Sequence, residues 1–345
     1  MSEVVQLESA VAPHLCPVNS SAATRERPEF DSYTGRLDTD VRQVVMAYFG
    51  AQEQSAEAGA ALDDVLRMRA LMRRPGGPGH LELSRYVDEA GFGTVLVVGY
   101  WLSPEAFDTW YAAHGAGWTS GEAAIGHFVE VVRPTVRRLE TIYSSNRDLQ
   151  GIGTLAERPS GPIIEHGYWG GMRERMPDAR DSSLASSGTP EPVARDGATE
   201  VVPHEGLCLI RSGQDFSSTE GAERAFYLEQ VEPQLRAGMD FLRDEGRSIG
   251  CFANRYVSVL GEEGERREKS YAMSWWNDMA DLEGWARSHR THVRIFGAFT
   301  AHMKRFGDDA RLRLYHEVAV VPREHQFFRY SRCHEGTGML RAIQD

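Results

Sequence analysis

The chain has 345 residues and a formal net charge of -12 at neutral pH, long enough for two ordinary domains that each bury a core. Acidic residues are scattered among the basic ones, so no basic stripe exists for a phosphate backbone and nucleic acid is a poor partner. Cys16, Cys208, Cys251 and Cys333 form no C-x-x-C pair, no basic and apolar leader opens the chain, and the longest apolar stretch, residues 94–102, is too short for a bilayer; the expectation is a cytoplasmic protein without a membrane partner.

Residues 1–40 are rich in Pro, Ser and Thr and lack periodicity, which predicts an N-terminal arm with little regular structure. Residues 44–49 read as a buried strand, a helix follows through Leu62, Val65, Met68 and Leu71, and a Pro-Gly cluster over 75–79 ends it. Strands are predicted over 80–87 and 94–101, then a helix with Ser103 at its N-cap and Pro104 at its first position. A second helical stretch is expected through Phe128, Val131 and Val132, and a returning strand over 138–143. Residues 165–177 form a compact motif, and the polar run 178–200 reads as a linker or mobile loop. Beyond it come a strand over 207–214 ending in a Ser-Gly turn, a long helix over 220–246, and a hairpin of strands 249–260 and 269–276 joined by Gly261 to Gly264.

The two halves align without a gap at one offset, with Trp101 on Trp276, Trp110 on Trp285, His114 on His289, and residues 138–143 on 313–318. The expected fold is therefore α+β. It is a duplicated strand-helix-strand-strand-helix-strand unit of ferredoxin-like type, with a central antiparallel barrel-like core and outer helices. The expected divisions are an arm over 1–40, a first unit over 41–150, a connecting motif and linker over 151–205, and a second unit over 206–345.

His292 recurs with Ile295, Phe296 and Phe299 at helical spacing, which turns its imidazole toward an apolar environment. That pattern serves an iron or haem ligand or a hydrogen-bonded core histidine, and spacing leaves both open. His316 alternates with Tyr315 and Glu317 on a strand and could act as a general acid or simply pack; Ser212 could donate to a ligand or belong to a strand-end turn. Arg173 and Arg175 could hold an anion or a haem propionate, or be solvated. No hydrolase elbow, zinc helix, P-loop or dinucleotide fingerprint is present.

Residues 165–175, 209–215, 239–244, 291–296 and 312–318 together resemble the haem-containing aldoxime dehydratases, a family that includes aliphatic aldoxime and phenylacetaldoxime dehydratases. The resemblance runs from about residue 41 to Arg341. It implies a lyase with haem b, ferrous in the active form, that takes an aldoxime by its nitrogen and releases a nitrile and water. It also implies a homodimer. By motif, His292 resembles the proximal haem ligand and Ser212 the distal donor to the oxime hydroxyl. His316 resembles the distal acid/base, with Arg175 and Glu140 supporting it. His289, which matches His114 in the other half, reads as structural. A non-catalytic haem carrier or sensor, or a peroxide- or chlorite-consuming haem enzyme, is the alternative; neither requires Ser212, His316, Arg175 and Glu140 together.

Overall fold

The computed structural model describes residues 7–15, 30–120, 124–165 and 171–344; Cys16, much of the N-terminal arm and residues 166–170 of the Glu165 motif lie outside the described residues. After β1 (Gly35–Arg36) the chain enters β2 (Val45–Glu53), whose apolar residues are buried on both faces. Helix α1 (Gly59–Met72) buries Ala61, Val65, Met68 and Met72, the spacing of a single helix face. Strands β3 (His80–Val87) and β4 (Gly93–Trp101) follow. Helix α2 (Pro104–Trp110) starts where the sequence places it, because Ser103 Oγ accepts from the Ala106 N–H at 3.1 Å. The half continues through β5 (Gly126–Val132), β6 (Leu139–Tyr143) and β7 (Arg158–Pro159), then the short helices α3 (Gly171–Arg175) and α4 (Pro177–Asp181).

The hairpin of β8 (Glu191–Arg195) and β9 (Ala198–Val202) leads to β10 (Leu207–Asp215). Helices α5 (Gly221–Phe226) and α6 (Glu232–Asp244) run on from each other through a widened π-helical turn, Tyr227–Val231, placed just before Pro233, which has no N–H to give the ladder. Then come β11 (Cys251–Leu260), β12 (Arg266–Trp276), α7 (Met279–Ser288), α8 (Arg290–Phe306), β13 (Arg313–Val321) and β14 (Gln326–Ser331).

Among the described residues a 12-stranded sheet has the order β6-β13-β10-β12-β11-β3-β4-β2-β5-β14-β9-β8, and every pairing in it is antiparallel. One face of β2, β4 and β5 and one face of β10, β12 and β13 meet in a shared core that includes Tyr48, Tyr100, Met273, Trp275 and Val321. Helices cover the outer faces. Val65, Met68 and Trp110 lie over the first half, and Met239, Leu242 and Leu282 over the second. The fold is thus α+β with a large antiparallel sheet. Its strand order has two ends, β6 and β8, so the expected barrel-like core is not a closed barrel. No helix of the described residues is long and apolar enough to cross a membrane.

Four local expectations are corrected. The stretch through Phe128 and Val131 is the strand β5 and not a helix; all seven of its residues are buried, and an apolar run buried on both faces has no strand alternation to read. The run 178–200 is not irregular throughout, since parts of α4 and of the β8–β9 hairpin lie in it. Asp196 and Gly197 turn that hairpin with positive φ values of 50° and 73°. Ser212 and Gly213 form no turn but lie within β10; a Cβ at Gly213 would collide with the Tyr315 ring, so glycine is what lets that ring cross the strand. Finally, β6 is not the counterpart of β13. It pairs directly with β13, and Glu140 therefore belongs to the edge of the second half's sheet.

Candidate active site

A cavity of about 410 Å³ lies between α7–α8 and the outer face of β6, β13 and β10, a volume typical of a small-molecule or cofactor site. The strands supply it by alternation: Ser212 and His316 are directly paired neighbours on β10 and β13, and Ile142 of β6 continues the same row. Their chain neighbours Arg211, Tyr315 and Glu317 point into the core and are buried. The helix wall is apolar, with Leu282, Trp285, Ile295 and Phe299 on the cavity. His302 is buried on α8, whereas Phe299 borders the cavity and Ile295 both borders it and packs against the core that holds Met239 and Leu282.

His292 stands on that helix wall, with Trp285 edge-on to its ring at 4.6 Å. Burial lowers its pKa to about 4; the backbone of Ala286 acts in the opposite direction and the charge of His316 reinforces the lowering. The imidazole is therefore neutral at pH 7, the state in which a ring nitrogen can ligate a metal. His289 serves another purpose, as the sequence suggests. Its ring caps α8, with Nδ1 at 2.8 Å from Thr291 Oγ1, and stacks on Phe241 at 4.2 Å.

On the sheet wall, Arg175 donates to both oxygens of Glu140, from Nε at 2.7 Å and from Nη2 at 3.2 Å. His316 Nε2 lies 3.1 Å from Arg175 Nη2 and 3.0 Å from Glu140 Oε1. Its Nη1 donates to the Glu165 carbonyl at 3.2 Å. Glu140 and Arg175 are 3% and 4% exposed, so each charge depends on the other to offset its lost hydration. Arg173 points elsewhere and pairs with Glu283 at 2.8 Å. Of the two arginines the sequence offered, Arg175 is the one beside His316.

Burial pushes the Glu140 carboxyl pKa upward, but Arg175 and then His316 outweigh it and the net shift is downward. A carboxylate whose folded pKa is depressed contributes stability that is present above the ordinary carboxyl pKa of about 4.3 and is lost as pH falls through the folded value. Glu140→Gln is therefore expected to flatten the acid limb of stability below about pH 4.3 relative to wild type. Denaturant midpoints measured from pH 7 to pH 3 check this, and parallel curves for the two proteins would remove Glu140 from the acid response.

Two contributors escaped the sequence reading. Glu165 is itself a clamp: its carboxylate accepts from Arg180 at 2.7 Å and from the Ala10 N–H at 2.7 Å, joining the arm to the segment that carries Arg175. Behind the sheet wall, the paired residues Arg211 and Glu317 meet Tyr100, whose hydroxyl donates to Glu317 at 2.5 Å. Alternation around Ser212 and His316 could have flagged Arg211 and Glu317 as buried charges. No local pattern could have supplied their partner on β4.

Residues 47–339 match the model of the haem-containing dehydratases. The chain belongs to this family. It is 38% identical to an aliphatic aldoxime dehydratase of Rhodococcus erythropolis over 97% of this chain and 98% of that one. It is 30% identical to a phenylacetaldoxime dehydratase of a Bacillus species over 91% and 92% of the two chains. A crystal structure of an aldoxime dehydratase in complex with butyraldoxime superposes with a TM-score of 0.92 at 37% identity, covering 98% of this chain and 97% of that one.

The cavity fits the family's haem. A neutral imidazole set in an apolar wall is suited to receive it.

Proposed function

We propose that the chain is a lyase that converts aldoximes, R-CH=N-OH, into nitriles and water with haem b as its cofactor. The observation that carries this reading is the two-walled cavity: neutral His292 on the apolar helix wall, and Ser212, His316, Arg175 and Glu140 on the sheet wall. The names of the relatives supply the substrate class.

His292 would hold the haem iron, and haem, when bound, would supply the electron density that weakens the N–O bond of the oxime. The chain's residues do the proton work. Ser212 Oγ donates to the oxime oxygen, and its place next to His316 in the row brings the two to the same substrate atom. With His316 Nε2 turned toward Glu140 and Arg175, Nδ1 is left for the substrate. When the ring is protonated, Nε2–H donates to Glu140, which stabilises the imidazolium; when it is neutral, Arg175 donates to Nε2. His316 thus gives a proton to the departing oxygen as the N–O bond breaks, and then takes the proton from the carbon as the nitrile forms. The balance is one aldoxime to one nitrile and one water. The apolar lining leaves room for alkyl or aryl R groups.

The same reading takes residues 41–150 and 206–345 as duplicated ferredoxin-like units, with 1–40 as an arm and 151–205 as the connecting part. Its support is the spatial order β3-β4-β2-β5, which recurs as β11-β12-β10-β13 with helices between the same strands; β5 then replaces 138–143 as the fourth strand. A cytoplasmic homodimer completes it, and the free thiols of Cys208, Cys251 and Cys333 are consistent with a reducing compartment.

The deciding experiment is an anaerobic assay of dithionite-reduced, haem-loaded protein with butyraldoxime and phenylacetaldoxime, following visible absorbance and nitrile together. Nitrile from either substrate is the expected result. Spectral shifts without nitrile would leave a haem carrier or sensor.

A further inference from the structure

Haem b carries two carboxylates on one edge of an otherwise apolar ring, so a cavity that holds it turns that edge to where the apolar wall meets solvent, and a cation there can pair with it. Among the described residues two guanidiniums line this cavity, those of Arg175 and Arg287. Arg175 is buried and already held by Glu140, the Glu165 carbonyl and His316, as described above. Arg287 is exposed while still lining the cavity, which puts it at the rim.

Its freedom has a local cause. Arg287 stands in the last turn of α7, and its helical neighbour four residues earlier is Glu283, the usual partner for a basic residue at that spacing. Glu283 is instead held by Arg173 Nε at 2.8 Å and is itself part of the cavity wall. Arg173 thus neutralises an acid that would repel a carboxylate at this rim. Among the described residues no hydrogen bond or ion pair occupies Arg287. The aliphatic stem of an arginine can lie along apolar surface while its head stays at the water boundary. Arg287 is also five residues before His292 in the same helical pair, so the ligand and the cation belong to one wall.

We propose that Arg287 holds a haem propionate carboxylate, with Arg173 and Glu283 keeping it available. This rests on the reading of the cavity as the haem site. A cation there determines which edge of the macrocycle faces solvent, and so how the ring is turned against Ser212 and His316.

The test uses haem b and its dimethyl ester, in which both carboxylates are masked. Each is loaded into wild type, Arg287→Ala and Arg287→Lys, and its loss to excess apomyoglobin is timed. Arg287→Ala is expected to release haem b about tenfold faster than wild type, the scale of one lost charge-assisted hydrogen bond. With the dimethyl ester the two proteins should release at the same rate, and Arg287→Lys should recover part of the haem b effect. Equal acceleration with both macrocycles would mean that Arg287 only supports the end of α7, and would overturn the proposal. So would a wild-type rate of haem b release from Arg287→Ala. A wild-type chain that takes up neither macrocycle would overturn the haem reading of the cavity along with it.

Discussion

His292→Ala is expected to be purified essentially without haem, with content reduced by at least about tenfold, because it deletes the nitrogen that would anchor the iron while leaving the apolar walls intact. The fold should survive. His292 lies on the cavity with Trp285 against one face of its ring, and the buried core of the second half is made by α6, α7 and the sheet rather than by this residue. Pyridine haemochrome and Soret absorbance measure the loss, and circular dichroism and the thermal midpoint show that the chain remains folded. Added imidazole, which can enter the space vacated by the side chain, should restore part of the Soret band. Full haem content in the variant without imidazole would remove His292 as the ligand. The lowered pKa adds a second expectation for wild type: haem retention should persist down to about pH 4, where a proton begins to compete with iron for the ring.

What the sequence made legible follows from how each signal is generated. Ser103 and Pro104 mark the start of α2 because a cap is a local hydrogen bond, settled within four residues. The Gly261 to Gly264 turn joins β11 and β12 for the same reason. The alternation around His316 is equally local, and it correctly separates His316 from Tyr315 and Glu317. Where neighbours distant in sequence decide the outcome, local reading fails. Strand β5 is covered on both faces and so shows no alternation, while Gly213 looks like a turn until the Tyr315 ring is seen across it. The choice between Arg173 and Arg175 is of the same kind. Two arginines one residue apart in a short helix cannot be ranked by pattern, but Glu140 and Glu283 sort them, and those carboxylates come from β6 and α7. The duplication offset likewise aligned residues 138–143 with 313–318 when in space these strands lie side by side.

His316→Ala separates chemistry from haem binding. The variant should retain haem at wild-type content while its turnover falls about 10²- to 10⁴-fold, the range spanned by loss of a positioned general acid or base. Two arguments make the separation clean. First, Glu140 and Arg175 remain bonded to each other through two hydrogen bonds when the imidazole is removed, so no buried charge loses its main partner and the sheet wall keeps its shape. Second, His292 is carried by α8, on the helix wall, and the row that holds His316 belongs to the strands. Glu140→Gln sharpens the assignment. It leaves the imidazole in place but removes the carboxylate that orients it, so turnover should fall while residual activity exceeds that of His316→Ala. Steady-state rates across pH, normalised to haem content, measure both effects. An unimpaired rate in His316→Ala would remove this residue from the mechanism and shift the proton transfers to Ser212 or to solvent. A loss of haem in parallel with activity would instead make His316 a structural part of the cofactor site, which its position beside the buried Glu140–Arg175 pair argues against.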